Sequence, residues 1–363
     1  MVATTSSPPR TEAPVPLRLI QNPMHRALAR MGLAGEDFAD MTGALGTTPR
    51  ETIYTQGTLK LQHYLPMVDD VYRVPVLIVT SLVNQPYILD LVPGQSMVEY
   101  LLKEGFDVYM IEWGRPRKEH KNLTLEDHVL DRLPACVAQV LRHSGESELS
   151  IIGYCVGGLL SVLYAALNPA GPLKNLVCMA APVNGDGLVS LKTWMGKDFD
   201  EEALLEDFGN VPADWVQNAL RALRPMGKVS GAMSLLNNMD KPEVVTSNLR
   251  MGKWEQDNIP FPGGVFRQMV NDFLRNNLLV KGKWQIGGKA ANLKTIKVPL
   301  LHLLAQDDHI TPYASSCDLV KLAGSKDKTE TIVKGGHVGL VAGRGAQTRM
   351  WPALNDWLSQ RST

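Results

Sequence analysis

The stretch Ile151-Ile152-Gly153-Tyr154-Cys155-Val156-Gly157-Gly158 decides how the chain is read, because an apolar run stops there at small residues and a new apolar pattern begins with Leu159 and Leu160. A strand, a sharp turn and a helix account for this pattern, with Cys155 at the apex. Glycines flank the apex because the turn takes a strained backbone, and any Cβ two residues away would clash where strand and helix pass closely. The helix behind the thiol aims its free N–H groups at the sulfur, which favours negative charge there. Glycines beside a buried Cys also occur through tight packing alone, so the chemistry rests on the partners that the rest of the chain supplies.

At 363 residues the chain has room for one large α/β core with an inserted segment, or for two ordinary domains. Its 37 Lys and Arg balance 37 Asp and Glu, so no global field favours nucleic acid or an anionic membrane. The four Cys, at 136, 155, 178 and 317, show none of the close pairing used by zinc or redox sites, and three of them fall in apolar patterns as inert core residues. No stretch reaches transmembrane length, and nothing repeats at a fixed period. Residues 1–16, rich in Thr, Ser and Pro, read as a disordered lead without a signal-peptide core, which places the protein in the cytoplasm.

Residues 17–50 read as an N-terminal helical segment, with apolar residues at Leu17, Ile20, Met24, Leu28 and Met31. Residues 51–183 follow as the first part of a core. Within it, 56–64 alternates as an edge strand, Val76 to Thr80 is a run covered on both faces, and Phe106 to Ile111 is another core strand. Helical spacing runs through Leu89, Leu91, Met97 and Leu101, and a helix from about Thr124 reaches the region of His143. Leu176 to Met179 is the next buried strand. The alternation of strand and helix then lapses over 184–291, which is read as a mainly helical cap insertion with helices around 201–208, 213–224 and 265–278. Its Pro260-Phe261-Pro262-Gly263-Gly264 loop suits a channel lining or a plain turn. The core resumes over 292–363, with strands at Val298 to Leu304 and Thr329 to Val333 and a closing amphipathic helix through Trp351, Leu354 and Trp357.

An acid, Asp308, stands after the late strand, and a base, His337, follows the final one. The order nucleophile, acid, base is that of the α/β-hydrolase fold, a mostly parallel sheet with catalytic residues at the carboxyl ends of its strands. Position alone does not separate Asp308 from Asp307, and Asp308 is preferred. His337, set among glycines, is expected to reach the surface of a site. His309 is an accessory or structural residue. The amide of Val156 and one from Leu82 or Val83 are the candidate oxyanion donors. Asn84 caps the following segment or touches substrate, capping being the first choice. The sequence offers no His-rich metal-ligand cluster, so no metal and no cofactor are expected.

Sulfur in place of oxygen has a thermodynamic meaning. A serine that accepts an acyl group from a thioester drops it into an ester of lower transfer potential, whereas Cys preserves the thioester for a following alcohol. The pattern therefore suits acyl transfer from a thioester to a hydroxyl better than ester hydrolysis.

With these residues in view, the chain resembles the polyhydroxyalkanoate (polyhydroxybutyrate) synthases over about residue 50 to the C-terminus. The resemblance is carried by Gly153 to Gly158, Leu82 to Leu91, Glu112-Trp113-Gly114, Trp254 with Asp257, Pro260 to Gly263, Phe266-Arg267-Gln268, Asp308-His309-Ile310-Thr311-Pro312 and Gly336-His337-Val338-Gly339. It implies polymerisation of (R)-3-hydroxyacyl-coenzyme A with coenzyme A as leaving group, and it places the family's acid on Asp308. By length the chain resembles the class III catalytic subunit, which works with a second synthase subunit, whereas Tyr154 and Val156 match the class I pattern. The resemblance also implies association with polyester granules and with the growing polyester chain, and the exposed apolar surfaces expected of a granule enzyme favour a homodimer. Two rivals remain at this point: a Cys-dependent thioesterase or polyester depolymerase on the same fold, and a non-catalytic protein of the granule surface.

Overall fold

Strand β1 (Arg50–Gln56) and strand β2 (Leu59–Tyr64) open a computed structural model that describes residues 44–224, 231, 233, 236–238 and 240–363. The lead at 1–16 and nearly all of the N-terminal helical segment lie outside the described residues; of that segment, 44–49 is irregular and Arg50 already belongs to β1. The described residues of 44–227 and 250–363 form one compact unit, and those of 228–249 fall in a second.

Strands β1 and β2 pair antiparallel through a tight reversal in which Gly57 takes φ +64, with a register shift between Thr52 and Tyr54. The alternation over 56–64 predicts a single edge strand. The structure corrects this, because β2 is covered by β1 on one side and β4 on the other. The edge strand β1 reads Arg-Glu-Thr-Ile-Tyr-Thr-Gln, half-buried or exposed throughout, and so lacks the apolar signature of a core strand.

The remaining strands of the main sheet are β3 (Val76–Val79), β4 (Val108–Glu112), β5 (Leu149–Tyr154), β6 (Leu173–Met179), β9 (Leu300–Ala305) and β10 (Lys328–Val333). The order across the sheet is β1-β2-β4-β3-β5-β6-β9-β10, parallel from β4 to β10. Two short strands, β7 (Gln285–Ile286) and β8 (Lys289–Ala290), form a separate hairpin. The run Val-Leu-Ile-Val in β3 is buried on both faces: Leu77 and Val79 enter one apolar cluster, Val76 and Ile78 the other. This is why the parallel strands read as continuous apolar runs.

The helical spacing through Leu89 and Leu101 becomes two pieces, a short turn at Pro86–Leu89 and α1 (Met97–Lys103), because Pro93 and Gly94, with φ +74, stand between them. Ser96 caps α1 by accepting from the Glu99 amide at 2.9 Å. The helix expected from Thr124 is a wide-turned stretch at Asp127–Arg132 that continues into α2 (Leu133–Ser144) and ends at Gly145, φ +76. Helix α3 (Val156–Leu167) leaves the elbow.

Between β6 and β9 the described helices include α4 (Val189–Trp194), α5 (Glu201–Phe208), α6 (Ala213–Ala222), α7 (Pro242–Gln256) and α8 (Gly263–Gln268), the last running into a wide-turned stretch at Met269–Arg275. Phe261 exchanges two backbone hydrogen bonds of 2.9 Å with Val211, and its ring meets Phe266 at 6.2 Å. A Cβ on Gly264 would come within 2.5 Å of the Leu123 carbonyl. Pro260 to Pro262 thus form a packed turn that leads into α8. After β10 the chain closes on α9 (Trp351–Ser359), with Trp351, Leu354 and Trp357 buried. No described helix is long and apolar enough to cross a membrane.

Helix α3 seats on the sheet through glycines. A Cβ on Gly153 would stand 2.5 Å from Ser161 Oγ and one on Gly158 2.6 Å from Ala181 Cβ, while one on Gly157 would run into the Val79 carbonyl oxygen. Backbone cannot withdraw as a flexible side chain does, so Gly157→Ala is expected to cost about 2–3 kcal/mol of unfolding free energy in urea titrations. An unchanged midpoint would show that α3 does not depend on this approach.

Candidate active site

The backbone at Cys155 has φ +56 and ψ −124, one of three described non-glycine residues with positive φ. Holding a residue with a Cβ there costs on the order of 1–3 kcal/mol, and the surroundings over-determine it. The Cys155 amide donates to the Met179 carbonyl at 2.9 Å, and its carbonyl accepts from Gly158 at 2.9 Å and Leu159 at 3.2 Å. The apex therefore stands at the carboxyl end of β5, fixed to β6 on one side and to the first turn of α3 on the other.

Asp308 follows β9 and His337 follows β10, neighbouring parallel strands whose ends, Ala305 and Val333, are in register. Asp308 Oδ1 accepts from the amides of Ile310 at 2.9 Å and Thr311 at 2.7 Å, which leaves Oδ2 to meet His337 Nδ1 at 2.7 Å. Asp307 is exposed, and its amide donates to the Gly335 carbonyl at 2.9 Å at the end of β10. The structure thus separates the two acids that the sequence left side by side. His309 is exposed beside the buried Asp308.

His337 lies with Asp308 and Cys155 in one group, away from bulk solvent. It is buried, with Asp308 and Cys155, at 8%, 6% and 8% exposure respectively. Gly335, at φ +138, turns the chain inward after β10, and the Tyr154 ring lies 5.1 Å from the imidazole. Tyr154 Oη also donates to the His337 carbonyl at 3.4 Å. By sequence Tyr154 marks only a subclass, and its place directly before the apex is the signal that it can reach the base.

Burial, the largest single influence on His337, pulls its pKa down. The Asp308 carboxylate and the Cys155 sulfur, by charge and by hydrogen bonding, more than reverse this and raise it to about 10. The imidazole therefore carries its proton at neutral pH. Burial also drives the Tyr154 hydroxyl far above its usual range, with the charges of Cys155 and Asp308 adding to the effect, so that it stays a neutral donor.

The loop after β3 carries Leu82 and Val83. Among the described residues neither the Leu82 nor the Val156 amide has a protein acceptor, whereas Val83 N–H lies 3.5 Å from Ser81 Oγ. Asn84 does not cap the next turn, whose N-cap is Gln85; its Nδ2 donates instead to Asn258 Oδ1 at 3.3 Å. Further ties join this loop to residues 254–259. Trp254 Nε1 donates to the Gln85 carbonyl at 2.8 Å, Tyr87 Oη to Asp257 at 3.2 Å and the Ile259 amide to the Val83 carbonyl at 3.3 Å. Arg115 donates to Asp257 and to the Asn258 carbonyl. An apolar hollow of about 210 Å³ lined by Trp194, Phe199, Trp215, Asn218 and Ala222 shares no residue with the Cys155 group.

Comparison with known proteins bears on both fold and family. Residues 74–343 match the family model described as alpha/beta hydrolase fold, and residues 26–101 match that of the poly-beta-hydroxybutyrate polymerase (PhaC) N-terminus. A poly(3-hydroxyalkanoate) polymerase subunit PhaC from Haloferax mediterranei is 35% identical over 88% of the chain, which spans 65% of that protein's length. The subunits from Allochromatium vinosum and Synechocystis are 33% and 34% identical over 87% of the chain, which spans 90% and 86% of their lengths. Among solved structures, a soluble variant of monoglyceride lipase from Saccharomyces cerevisiae matches 89% of this chain and 98% of its own, with a TM-score of 0.54 at 14% identity. A thermophilic esterase from Thermogutta terrifontis matches 86% and 99%, with a TM-score of 0.51 at 16% identity. The two structures bear on the fold alone, and the chain has the α/β-hydrolase fold.

The raised His337 value has a thermodynamic signature. A group whose folded pKa lies above its unfolded value adds stability that is fully present below about 6.5, the unfolded value, and is lost as pH rises through the folded pKa of about 10. Unfolding free energy should therefore fall between those limits, and Asp308→Asn should flatten that slope and lower the His337 midpoint followed by NMR. An imidazole that titrates near 6.5 in the parent protein would contradict the pairing.

Proposed function

The chain belongs to the poly(3-hydroxyalkanoate) polymerase family, whose members are acyltransferases, and from that premise we propose that it joins (R)-3-hydroxyacyl units from coenzyme A thioesters into a polyester through an acyl-enzyme on Cys155. The observation that supports this reading most directly is a cysteine at a strained strand–helix apex against an imidazole whose other nitrogen is held 2.7 Å from a buried carboxylate.

In the proposed reaction the resting proton lies on His337, and the imidazolium serves as counter-charge to the sulfur. The sulfur attacks the thioester carbon, and the developing oxyanion is received by the Val156 and Leu82 amides. The bond to coenzyme A breaks, and the departing thiolate takes the proton of His337 and leaves as the thiol. The neutral imidazole then accepts the proton of a 3-hydroxyl, whose oxygen attacks the acyl-Cys155 carbon. Ester formation releases the Cys155 sulfur beside a re-protonated His337, which restores the starting state. Asp308 holds the imidazole in orientation and favours its charged form in both halves.

Burial of all three side chains supports transfer to an alcohol rather than to water, since a dry site protects the acyl-Cys intermediate. The same reading includes no cofactor besides the coenzyme A that leaves with the substrate. It has a homodimer acting with a second synthase subunit at the surface of a polyester granule. Exposed Val189, Trp194 and Phe208 support contact with apolar material.

With 3-hydroxybutyryl-coenzyme A as substrate, the parent protein should release coenzyme A and form insoluble polyester. Cys155→Ala and His337→Gln should lower release by about 10⁴-fold or more, because nucleophile and base act as a unit. Asp308→Asn should still form acyl-enzyme while slowing elongation by about 10²-fold. Free hydroxy acid in place of polymer would assign the parent to hydrolysis, and undiminished release by Cys155→Ala would overturn the nucleophile.

A further inference from the structure

Glu51 on β1 and His63 on β2 are directly opposed in the antiparallel pair, and His63 is in turn opposed to Tyr109 on β4. This row lies toward the amino ends of the parallel strands, whereas Cys155 lies at their carboxyl ends. His143, in the last turn of α2, covers the row with its ring 4.6 Å from that of His63 and 5.7 Å from that of Tyr109. Glu51 Oε1 stands 3.3 Å from His63 Nδ1 and 3.7 Å from His143 Nε2, and one ligating atom from each of the three residues lies within 4.8 Å of the others.

Each ring is held by its remaining nitrogen. His63 Nε2 meets Asp107 Oδ1 at 2.8 Å, and His143 Nδ1 meets Tyr109 Oη at 2.9 Å. With Nε2–H donated to Asp107, the His63 Nδ1 lone pair and the Glu51 carboxylate face one another, and His143 Nε2 is turned to the same carboxylate. A proton satisfies one such pair, whereas three converging donors suit a cation that takes several ligands. The second hydrogen bond on each imidazole is the usual device by which proteins orient a ligating histidine.

We propose that Glu51, His63 and His143 form a binding site for a divalent transition-metal ion of the zinc class, oriented by Asp107 and Tyr109 and open to solvent at its fourth position. Around a tetrahedral ion with ligand bonds of roughly 2.0–2.1 Å, neighbouring donor atoms stand about 3.3 Å apart, close to the two separations to Glu51. Two imidazoles with one carboxylate select zinc, cobalt or nickel over magnesium and calcium, which prefer all-oxygen shells. The side chains of Glu51 and His143 are 56% and 36% exposed, so an ion enters from solvent without disturbing the core. Bound there, it ties the β1–β2 hairpin to the end of α2 and takes no part in chemistry at Cys155.

Equilibrium dialysis of the metal-free full chain against Zn²⁺, in a Cys155→Ser background that removes a competing thiol, measures the site directly. One equivalent should bind and raise the thermal midpoint, and Co²⁺ in its place should show the visible absorption of a tetrahedral complex. His143→Gln and Glu51→Gln should each weaken binding by at least about 10-fold, and Asp107→Asn by about 10-fold. Glu51 is solvent-exposed, so Glu51→Gln keeps the fold and decides the matter if His143→Gln melts early. Failure of the parent to take up one equivalent, or affinity unchanged by Glu51→Gln, would overturn the site whatever the reaction at Cys155 proves to be.

Discussion

The backbone at Cys155 turns through φ +56 between β5 and α3, and it is held there because the helix can approach the sheet only where side chains are absent. Gly153, Gly157 and Gly158 are the residues that allow the approach. The amide and carbonyl of Cys155 are both engaged, which prevents the apex from relaxing into an ordinary turn. The strain is thus sustained by the close seating of α3, and the same seating presents the Val156 amide beside the sulfur.

Everything else at the site is set relative to that apex by the sheet. Register between β9 and β10 brings the loops bearing Asp308 and His337 side by side. Two backbone amides occupy one oxygen of Asp308 so that the other is committed to the imidazole. Burial alone would strip His337 of its charge, and the paired carboxylate and sulfur reverse that outcome. Two residues far apart in sequence from His337 therefore decide the charge of its imidazole.

The elbow and the buried parallel strands were legible because both are local patterns, a glycine spacing in one case and β-branched runs in the other. The choice of Asp308 was legible only as a preference, since what separates it from Asp307 is which side chain turns inward at the end of β9. Strand β1 escaped notice because only Ile53 and Tyr54 among its residues are apolar enough to pack on the core, too few for a periodic signal. The glycines around His337 marked it as a loop residue of a site, whereas its burial depends on packing at the end of β10 and has no local signal. The row Glu51, His63 and His143 had no sequence signal, since its members meet only through cross-strand register and the reach of α2.

The register shift in β1 between Thr52 and Tyr54 bears on how the molecule behaves in a crowd. Among the described residues the sheet has eight strands, and the outermost of them present N–H and C=O groups of the kind that invite a strand from a neighbouring chain. A bulge in the outermost strand, with Arg50 and Glu51 at its start, breaks the straight row of donors and acceptors that such a guest needs. The hairpin therefore acts as a selvage for the sheet, finishing that border so that it does not lengthen by self-association.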